Sequence, residues 1–199
     1  MSYKELLSAV AIALTLLAFV PYIRSIVQGK TRPHVFSWLI WGSTTFVIFL
    51  AQLADRGGAG AWPIGVSGLI TLYIAYLAYI HQRRSDVLAF TINRVDWLFL
   101  GVSLLALPLW AVTANPLWAV MVLTVVDVLG FGPTFRKAYS QPYSEHLLFY
   151  ATITLRNLLA TVALAHYSLT TMLFPLTMAI ICVIFIMMVL YRRRIISAQ

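Results

Sequence analysis

Two ionisable side chains lie inside long apolar stretches of this sequence, and their types point most directly to chemistry. Asp127 lies within VVDVLGFGPTFRK, and Arg156 lies within ATITLRNLLATVAL. A charge at the centre of a bilayer costs about 3 kcal/mol or more, so such residues usually face the interior of a helical bundle or a water-filled cavity. We therefore interpret Asp127 and Arg156 as the centre of a substrate or proton site.

The positions of these two residues predict that they lie at the same depth. Asp127 is ten residues after the start of one apolar stretch at 117, and Arg156 is ten residues before the end of the next at 166. Consecutive antiparallel helices would bring them together as an ion pair, either direct or bridged by water or a ligand. Arg156 could bind a carboxylate or another anion, Asp127 could carry a proton, or both could polarise a pocket for a neutral polar solute. The structural alternative is a buried pair that fixes the fifth helix against the sixth.

Other polar residues share these stretches. Asn157 follows Arg156, and Ser67 lies in the third apolar stretch. Residues of the second stretch recur at steps of three and four, which places them on one helix face: Trp38, Trp41, Thr45, Ile48 and Gln52. We predict that the site also includes Trp41, Thr44, Thr45, Ser67 and Asn157. The alternative is ordinary helix packing held by polar contacts.

The composition predicts the elements that must position these residues. The chain has 199 residues, of which 61% are hydrophobic and 10% charged, with a mean hydropathy of +0.88. A soluble domain would be about 25% charged. A membrane-spanning helix needs about 20 apolar residues, and seven stretches fit: 6–27, 35–54, 61–80, 95–113, 117–138, 147–166 and 170–191. The sequence therefore predicts an all-α integral membrane protein with seven transmembrane helices.

The lysines and arginines predict an orientation in the bilayer. Of the 14 in the chain, 11 lie at one set of helix ends, two (Lys4 and Arg56) at the other, and Arg156 lies within a helix. Cytoplasmic loops carry the excess of Lys and Arg, so we expect the N-terminus outside and the C-terminus in the cytoplasm. We expect the plasma (inner) membrane as the location. The net charge of +8 is explained by these helix ends, which argues against a nucleic-acid partner.

The chain also carries an internal repeat with a period of 112 residues. Under this shift Pro21 aligns with Pro133, Arg24 with Arg136, His34 with His146, Pro63 with Pro175 and Tyr79 with Tyr191. The shift crosses four helices, an even number, so both copies have the same orientation. Such a parallel repeat is one of the known plans of membrane transporters. We predict two three-helix repeats, residues 1–82 and 115–199, joined by a linker with the fourth helix at 83–114.

These features resemble the SWEET and PQ-loop transporter superfamily. PYIRSIVQGKTRPHVFSWLIW is similar to its first motif, and PTFRKAYSQPYSEHLLFY to its second. The resemblance implies that Pro21 and Pro133 are hinges for alternating access, and Gly130 and Gly132 would soften the second hinge. The asparagine that sugar-carrying members use in the third and seventh helices is missing at 61–80 and 170–191.

The sequence favours a transporter that moves a small polar solute, namely a sugar, an amino acid or a small organic anion. The alternatives are a receptor-like binding protein of the same superfamily and a small ion channel. An enzyme is disfavoured, because the sequence lacks a metal-spaced cluster, a nucleophile motif and a phosphate loop. We expect no metal and no cofactor, and a retinal pump is excluded because the last helix has no lysine. The lipid bilayer and the solute are the expected partners, and self-association is left open.

Overall fold

The computed structural model describes residues 2–29, 35–84 and 94–196, and this part of the chain is helical without a β-strand. The α-helices are α1 Tyr3–Val27, α2 Val35–Ala54, α3 Trp62–Arg84, α4 Arg94–Thr113, α5 Pro116–Gly130, α6 Gly132–Ser140, α7 Leu147–Val162 and α8 Leu169–Ile195. Two short 3₁₀ helices, Gly58–Ala61 and Pro142–Ser144, precede α3 and α7. The predicted loop cations Lys30 and Arg32, and residues 85–93 of the predicted linker, lie outside the described residues.

Five helical stretches are long and apolar enough to cross a membrane: Tyr3–Val27, Val35–Ala54, Gly58–His81, Pro116–Ser140 and Leu169–Ile195. This confirms the predicted all-helical class and is consistent with an integral membrane protein. The predicted fourth and sixth spans coincide with two shorter apolar helices, Leu100–Thr113 and Leu147–Val162. Helix α7, which corresponds to the predicted sixth span, ends at Val162, four residues before the predicted end at 166. The chain turns there to pack against the segment that precedes α3.

Local sequence explains where several helices begin. At α5 the Asn115 side chain accepts a hydrogen bond from the Leu117 N–H, and Pro116 fills the first helical position. At α8 the Ser168 and Thr171 side chains form a reciprocal capping box. These contacts satisfy backbone N–H groups that have no partner in the first turn of a helix. They fix the first residues of α5 and α8.

Six of the helices form a closed ring. Helix α3 packs against both α1 and α2, and α8 packs against both α5 and α7. The two groups of three meet where α1 packs on α7 and where α2 packs on α5. The ring therefore runs α1–α3–α2–α5–α8–α7 and returns to α1, while α4 packs beside it on α5 and α2. In each group the third helix along the chain lies between the first two.

Two apolar clusters fill the ring, one toward each end. We call the end that holds Lys4, Gly57 and Ala165 the outer end, after the predicted orientation, and the opposite end the inner end. The outer cluster is built around Ile48, Phe49, Ile64, Leu123 and Phe174. The inner cluster is built around Phe19, Ile26, Tyr150, Phe185 and Val189. The burial of these side chains provides the main apolar contact between the helices.

Hydrogen bonds join the two groups of helices at the outer end. The Ala165 N–H donates to the Gly57 carbonyl at 2.9 Å, and the Lys4 Nζ donates to the Leu164 carbonyl at 2.6 Å. The Ser168 hydroxyl donates to the Asp55 carboxylate. We call Asp55, Gly57, Ala165 and Ser168 the outer seam. It closes the ring at this end by linking the segment before α3 to the segment before α8.

The fifth predicted span is interrupted, whereas the first is not. Helix α5 ends at Gly130 and α6 begins at Gly132, with Phe131 between them. Pro133, in the first turn of α6, has no N–H to donate, which favours the start of a new helix over the continuation of the old one. Pro21, its partner in the repeat, lies inside the continuous helix α1. The repeat therefore predicts the position of the proline but not the break.

We predict that Gly60→Ala lowers the free energy of unfolding by about 1–3 kcal/mol, as overpacking does in a close-packed interior. A Cβ atom at Gly60 would overlap the backbone of Leu164 and Ala160. The measurement is thermal or denaturant unfolding in detergent. The matched control is Gly101→Ala in α4, where a Cβ atom would meet nothing within 4 Å, so stability should stay the same or rise. An equal loss in both variants would contradict this packing role.

Candidate functional site

A layer of buried polar residues lies between the two apolar clusters. Five helices of the ring contribute to it, and all of its members are at most 8% exposed. The polar layer consists of Thr15 on α1, Thr44 and Thr45 on α2, Ser67 and Thr71 on α3, Thr124 and Asp127 on α5, and Arg156 and Asn157 on α7. The layer includes every polar residue that the sequence assigned to the site except the half-buried Trp41.

The carboxyl group of Asp127 is held by the opposite group of helices. The Thr44 hydroxyl on α2 donates to Asp127 Oδ1 on α5 at 2.9 Å. Asp127 lies eleven residues after the start of α5, and Thr44 lies ten residues before the end of α2. At 1.5 Å per residue both are about 15–17 Å from the outer ends of their helices. The contact therefore crosses the boundary between the two groups near the middle of the two apolar stretches, Val35–Ala54 and Pro116–Ser140.

Arg156 is held by a different partner. Its Nη1 donates to the backbone carbonyl of Pro63, at the start of α3, at 3.3 Å. Because α7 ends at Val162, Arg156 lies about 9 Å from the outer end of its helix. The guanidinium is 4% exposed, and its Nε has no hydrogen-bond partner among the described residues. One N–H of a buried cation therefore remains available to another group.

The direct Asp127–Arg156 ion pair predicted from the sequence is not formed among the described contacts. Each charged group has its own neutral partner from the first group of helices, Thr44 for Asp127 and Pro63 for Arg156. Helix α8, not α7, packs against α5, which explains the difference. The site thus holds separated charges of opposite sign.

Asn157 is the least satisfied polar residue in the described part of the chain. It is fully buried, and neither its Nδ2 nor its Oδ1 has a hydrogen-bond partner there. The hydroxyl of Thr124 and the Oε1 of Gln52 are in the same situation. A buried polar group without a partner costs about 1–3 kcal/mol, so such groups call for an explanation such as a ligand or an ordered water.

The stripe predicted on α2 faces the interior of the ring. Thr45, Ile48 and Gln52 are buried, and Gln52 Nε2 donates to the carbonyl of Thr171 on α8 at 2.7 Å. This contact across the ring was not anticipated, because residues 119 positions apart share no local signal. The lower part of the stripe, Trp38 and Trp41, is half-buried and aromatic.

An aromatic cluster lies below the polar layer, toward the inner end. The Trp38 ring stacks on Tyr22 with 5.0 Å between centroids and meets Trp41 edge-on at 5.9 Å. Phe19 contacts both Trp38 at 6.5 Å and Phe149 of α7 at 6.1 Å. Phe19 therefore connects the two groups of helices on this side of the polar layer, opposite the outer seam.

The two glycines of the predicted hinge have different surroundings. A Cβ atom at Gly130 would lie 2.7 Å from Nε1 of Trp41, so this glycine lets the indole approach α5 directly below Asp127. A Cβ atom at Gly132 would meet nothing within 4 Å. Gly130 is therefore a packing position as well as the end of α5, and Gly132 is the freer of the two.

Within the described residues no group of three or more His, Cys, Asp or Glu side chains is placed to hold a metal ion. No protein-family model, curated protein or solved structure matches the chain significantly. The resemblance to the SWEET and PQ-loop superfamily stays a prediction.

We predict a coupling free energy of about 1–3 kcal/mol between Thr44 and Asp127, as expected for a hydrogen bond to an ionisable group. It is measured from the unfolding of Thr44→Val, Asp127→Ala and the double variant in detergent. Thr15→Val is the matched control, because its hydroxyl donates within α1 to the Ala11 carbonyl at 2.9 Å. Its coupling to Asp127→Ala should be near zero, and a similarly small value for Thr44 would show that the bond contributes nothing.

Proposed function

We propose that this chain is a membrane transporter that moves a small polar solute by alternating access between two three-helix bundles. The first bundle is α1–α3. The second consists of α7, α8 and the fifth span, which α5 and α6 form together, and α4 is the linker. This is the 3+1+3 plan of the SWEET and PQ-loop superfamily. The N-terminus lies outside and the C-terminus lies in the cytoplasm, in the plasma (inner) membrane.

The order of packing in the ring supports two equivalent bundles. In the first group the third helix lies between the first and the second, and the second group repeats this order with α8 between α5 and α7. The contacts between the groups follow the same symmetry. If α5 takes the place of α1 and α7 the place of α2, the contact of α1 with α7 becomes the contact of α5 with α2, and both are present. This is the pattern expected of a parallel repeat about an axis along the membrane normal.

The observation that carries the proposal is the pair of buried, separately held charges at the boundary between the bundles. Asp127 and Arg156 belong to the second bundle, and each contacts a residue of the first. Ionisable residues inside a membrane protein usually mark a substrate or ion pathway. A relative movement of the bundles would change the partners of both groups at once, which couples the site to the conformation.

The described contacts close the site on both its outer and its inner side, so each side has a contact that a transport cycle would open. The outer seam closes the outer end with hydrogen bonds, whereas Phe19 and Phe149 meet below the polar layer. The break at Phe131 lies at the level of these aromatic rings and offers a pivot within the second bundle. Opening one side while the other stays closed is the essential step of alternating access.

The chemistry of the polar layer suits a small solute with hydrogen-bond acceptors and donors. The free N–H groups of Arg156 and Asn157 could receive a carboxylate, carbonyl or hydroxyl oxygen. The Asp127 carboxyl could accept from a hydroxyl or ammonium group, or carry a proton. Sugars, amino acids and small organic anions all offer such groups, and the aromatic rings of Trp38 and Trp41 add an apolar wall.

We predict saturable flux with counterflow in proteoliposomes and a loss of about tenfold or more in flux for Asp127→Asn and for Arg156→Gln. The reason is that a charge-assisted contact is worth about 1.5–3 kcal/mol, and each 1.4 kcal/mol is a factor of ten. Uptake is screened with labelled sugars, amino acids and organic anions. Arg136→Gln at the exposed inner end is the matched control and should keep normal flux.

Three other outcomes separate this proposal from its alternatives. Tight solute binding without flux would favour the receptor-like function, and conductance without saturation would favour the channel. If both charge substitutions left flux and solute affinity unchanged, the site would lie elsewhere in the protein.

We predict that a disulfide across the outer seam stops transport reversibly. The Ser168 hydroxyl and the Asp55 carboxylate are in contact, so the double variant Asp55→Cys with Ser168→Cys can bridge the bundles. Oxidation should abolish flux, because the outer end can no longer open, and a reductant should restore it. Each single cysteine variant serves as the control. Full flux in the oxidised, cross-linked protein would contradict alternating access at this end.

A further inference from the structure

The side of α3 that faces away from the ring carries tyrosines near the centre of the membrane. Tyr73 is 48% exposed and Tyr76 is 58% exposed. They lie eleven and fourteen residues after the start of α3 at Trp62, in a helix of 23 residues. At 1.5 Å per residue this is about 16 and 21 Å along a helix of about 34 Å. Both phenol rings therefore lie at the depth of the acyl chains.

The hydroxyl groups of Tyr73 and Tyr76 have no hydrogen-bond partner in the described part of the chain. Acyl chains supply none either, and a hydroxyl group in an apolar medium without a partner is unfavourable. Side chains of a helix tilt toward its N-terminus, which draws the Tyr76 hydroxyl toward the membrane centre and away from the nearer interface. A partner within the membrane would remove this cost.

The corresponding face of α8 shows that lipid contact alone does not require tyrosine. Ile184 and Met187 are 45% and 57% exposed, and the shift of 112 residues places them one residue before the counterparts of Tyr73 and Tyr76. These two positions therefore match Tyr73 and Tyr76 closely in depth and in exposure. Both helices take the middle position of their three-helix group, and yet only α3 places hydroxyls there.

We propose that the exposed face of α3 is the interface of a homodimer, in which α3 of a second copy docks against it around a two-fold axis along the membrane normal. The bias of Lys and Arg gives all copies the same orientation, so this axis places each tyrosine opposite its own counterpart at the same depth. A phenol hydroxyl both donates and accepts. The face is therefore complementary to itself, as an interface between identical copies requires.

The arrangement of the rest of α3 fits this docking. Its opposite side packs against α1 and α2 within the ring, so a dimer through the exposed side would leave the polar layer and the outer seam untouched. Leu69, which is 55% exposed, continues the same face by one turn and adds apolar contact. This interface does not depend on the transport function, and each protomer keeps its own ring.

Cross-linking in native membranes tests the interface with depth-matched controls. Tyr73→Cys and Tyr76→Cys should form disulfide-linked dimers on mild oxidation. Ile184→Cys and Met187→Cys on α8 should not, and neither should the wild-type chain, whose one cysteine, Cys182, is fully buried. Equal cross-linking at all four positions would indicate random collision and would overturn the proposal. The absence of cross-linking on α3 would also overturn it.

A second measurement isolates the hydroxyl groups. Tyr73→Phe with Tyr76→Phe keeps the rings and their exposure but removes the hydrogen bonds. Hydrogen bonds between membrane helices are worth about 0.6–1.7 kcal/mol, so we expect the dimer dissociation constant to rise about three- to twentyfold for each bond lost. Energy transfer between labelled copies in vesicles, with increasing lipid dilution, measures it. Unchanged association, or a monomer in wild-type vesicles at every dilution, would refute the α3 interface.

Discussion

The constraint on which the structure depends is that Asp127 and Arg156 must be kept away from lipid. Neither residue can be satisfied by its own helix, because each finds its hydrogen-bond partner on a helix of the other group: Thr44 on α2 and Pro63 on α3. A closed ring is the simplest arrangement that supplies both partners and hides both charges. The separation of the two groups matters as much as their burial, since a tight ion pair would neutralise the charge of the site.

The two halves of the predicted repeat differ in the residues where the buried charges lie. The positions that align with Asp127 and Arg156 in the first half are Thr15 and Thr44, both neutral. One half therefore supplies the charges, and the other supplies neutral partners. The Thr44 hydroxyl donates to Asp127, and the Pro63 carbonyl accepts from Arg156. The same division applies to the backbone, because α1 continues through Pro21 while the fifth span breaks before Pro133. A symmetric packing plan thus carries an asymmetric site.

The polar layer is less completely satisfied than the clusters around it. Asn157 lacks partners for both side-chain polar atoms, and Thr124 and Arg156 each have one polar atom without a partner among the described residues. A chain selected for stability alone would replace such residues with apolar ones of similar volume, and local violations of this kind are expected at functional sites. The aromatic rings below the layer and the outer seam above it are, by contrast, well packed or hydrogen-bonded, which places the unsatisfied groups between two closures.

The sequence by itself determined the membrane class, the positions of the apolar helices, the matched prolines and the identity of the buried charges, because all of these follow from hydropathy, residue type and periodicity along the chain. It placed Asp127 and Arg156 side by side only by assuming that consecutive helices are neighbours. The tertiary structure decided otherwise, since α8 lies between α5 and α7. Which helices touch depends on how all the side chains pack together, and contacts such as Thr44 with Asp127, 83 residues apart, leave no local signal.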